Sequence, residues 1–115
     1  HLSTAHEHAV AAMRPGAPAS DVFEAADAYM HASGYPGYRR GHFGHSVGLD
    51  SFHEEPPFLA AEDRTPLRQG MVFAGETPFY GADLGPIMLE DLVLVTADGA
   101  EFLTHLPRTL TPVGP

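Results

Sequence analysis

The sequence predicts an α+β fold in which two helices, early in the chain, pack on one face of an antiparallel sheet. Three observations carry this expectation. Alanine-rich helical periodicity is confined to the first 34 residues, short apolar runs of strand character follow residue 70, and an Asp98-Gly99 pair separates two of those runs. With 115 residues, 43% of them apolar and 18% charged, the chain makes one domain with a true core rather than two.

In the first helix Thr4 and Glu7 stand at capping-box spacing, and Leu2, Ala5, Ala9 and Ala12/Met13 recur along one face before Pro15-Gly16 stops the run. The second opens at the N-cap pair Ser20-Asp21, carries Val22, Ala26, Tyr29/Met30 and Ser33 on one face, and closes at Gly34. A short link over 14–19 makes the helices neighbours, and their alanines predict close packing on a flat surface. Residues 35–41 read as a loop. Residues 42–59 read as an irregular segment with one short strand around 45–49, and 60–69 as a polar connector. A strand is expected over 71–76, broken by Thr77-Pro78, with a turn over 81–86. The run 87–95 is the clearest strand, and the Asp98-Gly99 turn pairs it with a partner over 101–105.

Six basic against fifteen acidic residues leave a net charge of −9, which argues against nucleic acid or an anionic membrane as a partner. No apolar run approaches the roughly 18 residues of a membrane-spanning helix, and the start is not signal-like. The absence of cysteine excludes disulfides, thiolate metal sites and a cysteine nucleophile, and it fits a cytoplasmic protein. Eight histidines turn attention to imidazole chemistry instead.

Glu76 and Glu90 each sit in an otherwise apolar strand. Alternation places Met88, Glu90, Leu92 and Leu94 on one face and turns Asp91 to the other. Such a carboxylate needs a cation, a metal or a proton if it is buried, and is simply a solvated acid if it is not. Spacing alone leaves both readings open. Residues 41–57 gather His42, His45 and His53 with Asp50, Glu54 and Glu55 among small residues. Imidazole with carboxylates suits Mn, Fe, Co or Zn and an activatable water better than it suits a structural zinc. The plainer alternative is a glycine loop with hydrogen-bonded histidines. His6 and His8, two apart on a helix, read as surface residues. His31 reads as a partner of its own helix's terminal carbonyls, and Arg39 and Arg40 as solvated loop charges or a clamp for a substrate carboxylate.

Four motifs stand in order: Gly44-His45-Ser46-Val47-Gly48-Leu49-Asp50, Phe52-His53-Glu54-Glu55-Pro56, Gly70-Met71-Val72-Phe73-Ala74-Gly75-Glu76-Thr77-Pro78 and Leu89-Glu90-Asp91-Leu92-Val93-Leu94-Val95-Thr96. Together they resemble the motifs of the pita-bread metallopeptidases, which include methionine aminopeptidase, aminopeptidase P, prolidase and the related creatinase. The likeness extends from Arg14-Pro15-Gly16 to Leu103-Thr104 and Pro107-Arg108. It implies that residues 1–115 are a single partial domain, the C-terminal half of a pita-bread catalytic domain whose upstream half is absent.

The resemblance implies a site of two Asp, one His and two Glu around two divalent ions (Mn, Co, Fe or Zn), where an activated hydroxide attacks a peptide carbonyl. Position by position, His45, Glu76 and Glu90 take the places of metal ligands. His53 takes that of the catalytic histidine that steadies the oxyanion. His42, whose spacing of three before His45 departs from the family's, is either a substrate-contacting histidine or a loop residue. Glu54 and Glu55 fall to structural or surface acids. The two Asp ligands belong upstream of the first helix, and Asp21, Asp27 and Asp50 do not replace them. Three ligands of five are therefore expected in this chain, with one ion or none bound. The spacing of eight between His45 and His53, one more than the family's, implies either a bulge near Asp50-Ser51 or a displaced His53.

The implied function is hydrolysis of a C–N bond in a peptide or small amide, of the aminopeptidase or Xaa-Pro peptidase type, by a longer parent, with the fragment itself inactive. Two alternatives stay open: a creatinase-like, metal-independent amidinohydrolase, and a non-catalytic binding or assembly module. The loss of half a domain predicts exposed apolar surface and a homo-oligomer.

Overall fold

Alanines decide how closely the two helices lie. In the computed structural model, which describes residues 1–50 and 54–114, α1 spans Leu2–Ala12 and α2 spans Ala19–Ala32. Ala5, Ala9 and Ala26 are buried between the helices and the sheet, where a methyl group lets backbones approach, and Val10, Met13, Val22 and Met30 fill the remaining space. These are the faces the helical periodicity predicts.

The expected caps differ. Thr4 and Glu7 lie inside α1, whose N-cap position is His1, so they form no capping box. Helix α2 begins one residue before Ser20, with Pro18 at its N-cap and no side-chain cap. Its first donors go to main-chain carbonyls of the connector instead: Ala19 N–H to Thr65 and Ser20 N–H to Asp63. With that role filled, the Ser20 hydroxyl is buried and accepts from Arg64 at 3.0 Å. The end at Gly34 does follow expectation. Gly34 has φ +97°, its N–H reaches the His31 carbonyl, and Tyr35 N–H reaches that of Met30, a Schellman closure.

The sheet is antiparallel throughout, in the order β2-β1-β3-β4-β5, with β1 Gly44–Ser46, β2 Glu55–Phe58, β3 Val72–Gly81, β4 Gly85–Val95 and β5 Ala100–Phe102. Strand β2 was not expected, because Pro56-Pro57 reads as a breaker. It lies at an edge of the sheet, where missing N–H groups are tolerated. Strand β3 runs through Thr77-Pro78 rather than ending there. Glu76 donates its N–H away from β4, to the Phe43 carbonyl, so alternation puts the proline nitrogen on that same side, beyond the end of β1. The proline thus removes no bond of the β3–β4 ladder. Strand β5 stops at Phe102, short of the expected 105.

Two faces result. Phe73, Thr77, Asp91, Val93 and Val95 face the helices and are buried. On the other face Ala74 pairs with Leu92, Glu76 with Glu90 and Pro78 with Met88, while His45 lies opposite Ala74 across β1–β3. Gly44 sets the β1–β3 spacing. Its φ is +143°, and a Cβ there would stand 2.2 Å from the Ala74 carbonyl oxygen, so the strands could not close with any other residue. Among the described residues no helix is long and apolar enough to cross a membrane.

Candidate metal centre

The uncovered face of the sheet carries a cluster of imidazole and carboxylate groups. Glu76, central in β3, is 8% exposed, and its Oε1 lies 3.3 Å from Nε2 of His45 on β1. Glu54, just before β2, approaches from the loop. Ligand atoms of His45, Glu54 and Glu76 all lie within 4.8 Å of one another. Glu90 stands directly across the ladder from Glu76, exposed, and outside that group of three.

Hydrogen bonds define which nitrogen each histidine presents. The Nδ1–H of His45 donates to the Ser46 carbonyl at 2.9 Å, so the neutral ring turns the Nε2 lone pair toward the Glu76 carboxylate. Two electron-rich atoms face each other at that contact, and only a positive charge makes it favourable, either a proton on the ring or a cation shared by both groups. His42 carries the opposite tautomer. Its Nδ1 accepts the Gly44 N–H at 3.2 Å, which leaves Nε2–H to face Glu54 Oε2 at 3.3 Å. The His42 ring packs against Phe58 and stands edge-on to His45, with ring centroids 5.7 and 6.3 Å apart respectively. One neutral imidazole and two carboxylates form a borderline-hard donor set that fits a divalent transition ion.

The structure therefore brings together His45 and Glu76 of the three ligands expected from the sequence, and sets Glu90 in register beside them. It adds Glu54, expected to be only a structural or surface acid. The clue to Glu54 was its place directly after His53. His53 itself lies outside the described residues, as does Ser51 of the expected bulge. The register irregularity that the structure does show is between His45 and Ser46, whose β2 partners Phe58 and Glu55 flank Pro56-Pro57. Glu55 has the structural role: its Oε1 accepts from Leu49 N–H at 2.8 Å and also from Asp50 N–H. An open hollow of about 500 Å³ beside His42 is lined by Phe58, Ala60, Glu62, Asp63 and Arg64.

A second imidazole–carboxylate pair sits on the helix-covered face, and it corrects the sequence reading of His6. This histidine is 1% exposed, buried under Phe102, with Nδ1 2.8 Å from the Thr77 hydroxyl and Nε2 3.3 Å from Asp91 Oδ2. Residues 6, 9, 10 and 13 share one helical stripe, which is the signal that places His6 inside. Asp91 also accepts from the Thr104 hydroxyl and from Arg108 Nε at 2.7 Å, while the guanidinium lies 3.5 Å above the Phe102 ring. Burial works to raise the Asp91 carboxyl, but the hydrogen bonds from Thr104 and Arg108 and the nearby positive charge outweigh it and hold its pKa below the usual value. Burial pushes His6 the opposite way for a base, below its ordinary value, against the pull of Asp91.

Three smaller expectations also change. His31 meets Asp27 one turn earlier, at 3.4 Å, and the Tyr38 carbonyl, rather than its own helix's terminal carbonyls, which the Gly34 turn has already closed. Arg39 donates to the Pro36 and Tyr38 carbonyls, and Arg40 lies over the Tyr80 ring, so neither is a freely solvated charge. Tyr38 donates its hydroxyl to the Pro78 carbonyl at 2.6 Å, and burial pushes its pKa up to about 12.

Comparison with known proteins identifies the family and the fold. The profile of metallopeptidase family M24 matches residues 2–97. The chain is 38% identical over 106 residues to the Xaa-Pro dipeptidase of Pyrococcus furiosus, covering 92% of this chain and 30% of that one. Its fold superposes on the dipeptidase PepE of Mycobacterium ulcerans with a TM-score of 0.86 at 34% identity, over 95% of this chain and 29% of that one. The prolidase of Pyrococcus horikoshii gives the same TM-score at 33% identity, over 96% and 31%. The chain spans about three tenths of the length of the relatives it matches.

Proposed function

The chain belongs to metallopeptidase family M24, and from that premise we propose that the complete protein hydrolyses short peptides, Xaa-Pro dipeptides foremost, with a divalent metal. The observation that carries this reading is the set of donors gathered on the uncovered sheet face, with a histidine whose tautomer presents Nε2 to a buried glutamate. His45, Glu76 and Glu90 are the residues that would hold the metal. When bound there, a divalent ion polarises a carbonyl and makes water nucleophilic at neutral pH.

The chain's own groups have separate tasks. The Ser46 carbonyl fixes the His45 ring so that Nε2 stays aimed without further ordering. Glu76 and Glu90, paired across the ladder, concentrate negative charge on one patch of the sheet. Met88 and Leu92 flank Glu90 on the same face, 45% and 40% exposed, and offer apolar ground to a prolyl ring. His42 is assigned contact with the substrate, and His53 the role of hydrogen-bond donor to the developing oxyanion.

The test uses the complete protein, metal-depleted and then reloaded with Mn or Co, on Xaa-Pro dipeptides and on matched dipeptides lacking proline. Turnover that requires the ion and falls at least a thousandfold in Glu76→Gln supports the reading. Turnover unaffected by chelators, or no hydrolysis of any dipeptide, overturns it.

A further inference from the structure

We propose that Glu54 is a metal ligand in its own right, so that His45, Glu54 and Glu76 suffice to hold one divalent cation, with His42 as the residue that positions Glu54. This rests on the reading of the uncovered face as a metal centre and adds a ligand to it. The donor atoms of the three residues lie within 4.8 Å of one another. Around an ion with bonds of about 2.0–2.2 Å, neighbouring ligand atoms stand roughly 3–4.4 Å apart. Only a small closure separates the two arrangements, and the group that must move is the accessible one: the Glu54 side chain is 51% exposed, against 11% for Glu76.

Charge points the same way. Two carboxylates and a neutral imidazole carry −2, which one dication cancels. The tautomers divide the labour. His45 has its hydrogen on Nδ1 and offers Nε2 to the ion, whereas His42 has its hydrogen on Nε2 and directs it at one oxygen of Glu54. The other Glu54 oxygen is then free to coordinate. A donor that holds a coordinating carboxylate in orientation is the usual outer support of a metal site. Phe58 and His45 lie beside the His42 ring, and the Gly44 N–H on its Nδ1 turns the ring's other nitrogen toward Glu54.

The experiment is a Mn titration of this 115-residue chain at pH 7.5, read by calorimetry and by electron paramagnetic resonance. One ion per chain is expected. Glu54→Gln, a change at an exposed position that leaves the metal-free melting temperature in place, weakens binding at least tenfold, and Glu90→Gln weakens it less than that. His42→Ala weakens it several-fold, and His42→Gln, which keeps a donor, recovers most of the loss. If Glu54→Gln binds within twofold of the parent, or Glu90→Gln costs more, the Glu54 assignment is overturned while dependence on His45 and Glu76 keeps the metal centre standing. A chain that takes up no Mn at millimolar concentration overturns the three-ligand site. Turnover by the complete protein remains a separate measurement of the function.

Discussion

An imidazole and a carboxylate meet at 3.3 Å on each face of the β3–β4 ladder, His6 with Asp91 beneath the helices and His45 with Glu76 on the uncovered side. The chemistry of the pairs is the same, and their surroundings are opposite. Besides His6, Asp91 is met by two further donors, the Thr104 hydroxyl and the Arg108 guanidinium, and Phe102 packs over His6 and Arg108. Glu76 has Glu54 and Glu90 as its acidic neighbours and, among the described residues, no arginine or lysine paired with it. Glu90, across the ladder from Glu76, and Asp91 are sequence neighbours that point to opposite sides because a strand alternates. The covered carboxylate is held by a hydroxyl and a guanidinium from the C-terminal segment, although Nε2 of the buried His6 has no hydrogen-bond partner among the described residues. The uncovered pair is short of positive charge, and that shortage is what a binding site consists of.

Removing the carboxylate on each side is the sharpest way to test this contrast. Asp91→Ala takes the acceptor from a half-buried arginine and leaves the buried His6 without its carboxylate, and is expected to cost about 3 kcal/mol in denaturant unfolding. A loss under about 1 kcal/mol would mean that the covered network is not a structural element. Next in size is the effect of the ion. Free Mn at a hundred times its Kd is expected to raise unfolding stability by about 2.7 kcal/mol, and Glu76→Gln is expected to abolish that gain. Without metal, the same Glu76→Gln change should stabilise the chain by about 1 kcal/mol, since an amide can donate to the bare Nε2 of His45 where a carboxylate cannot. A stability that falls with this substitution would show that the uncovered pair is already satisfied.

The smallest expected effect is one of pH. Because burial lowers the pKa of His6 in the folded state, the unfolded chain binds its proton first on acidification. The contribution of a neutral His6 is therefore fully present above pH 6.5, the ordinary value, and is lost as pH falls below it toward the folded-state value. Urea unfolding at steps between pH 7.5 and 5 should show that decline, and His6→Asn, which keeps a partner for Thr77, should flatten it. An unchanged slope in the variant would place the titration elsewhere.

What could be read from the sequence follows how local the cause is. The buried faces of α1 and α2 were legible because helical spacing and alanine content belong to one short segment, and the β4–β5 hairpin was legible from Asp98-Gly99. Glu76 and Glu90 stood out as acids inside apolar runs. His6 was misplaced because two histidines two residues apart were treated together, although only His6 shares a stripe with Ala9, Val10 and Met13. Its partners Thr77 and Asp91 are 71 or more residues away, and no spacing rule reaches that far. Glu54 was missed for a related reason. Its closeness to His45 depends on how the loop returns to pair β2 with β1, and two prolines disguised that strand.

Pro78 has a consequence for how this molecule behaves in a crowd. Past the end of β1, the outer rim of β3 would otherwise present a donor and an acceptor at this residue, side by side. The proline has no hydrogen to give, and Tyr38 occupies its oxygen at 2.6 Å. An extended strand from another molecule finds nothing to bind at that point, so the rim is interrupted there by two residues 40 positions apart. Tyr38→Phe would release the oxygen and lift half of that protection.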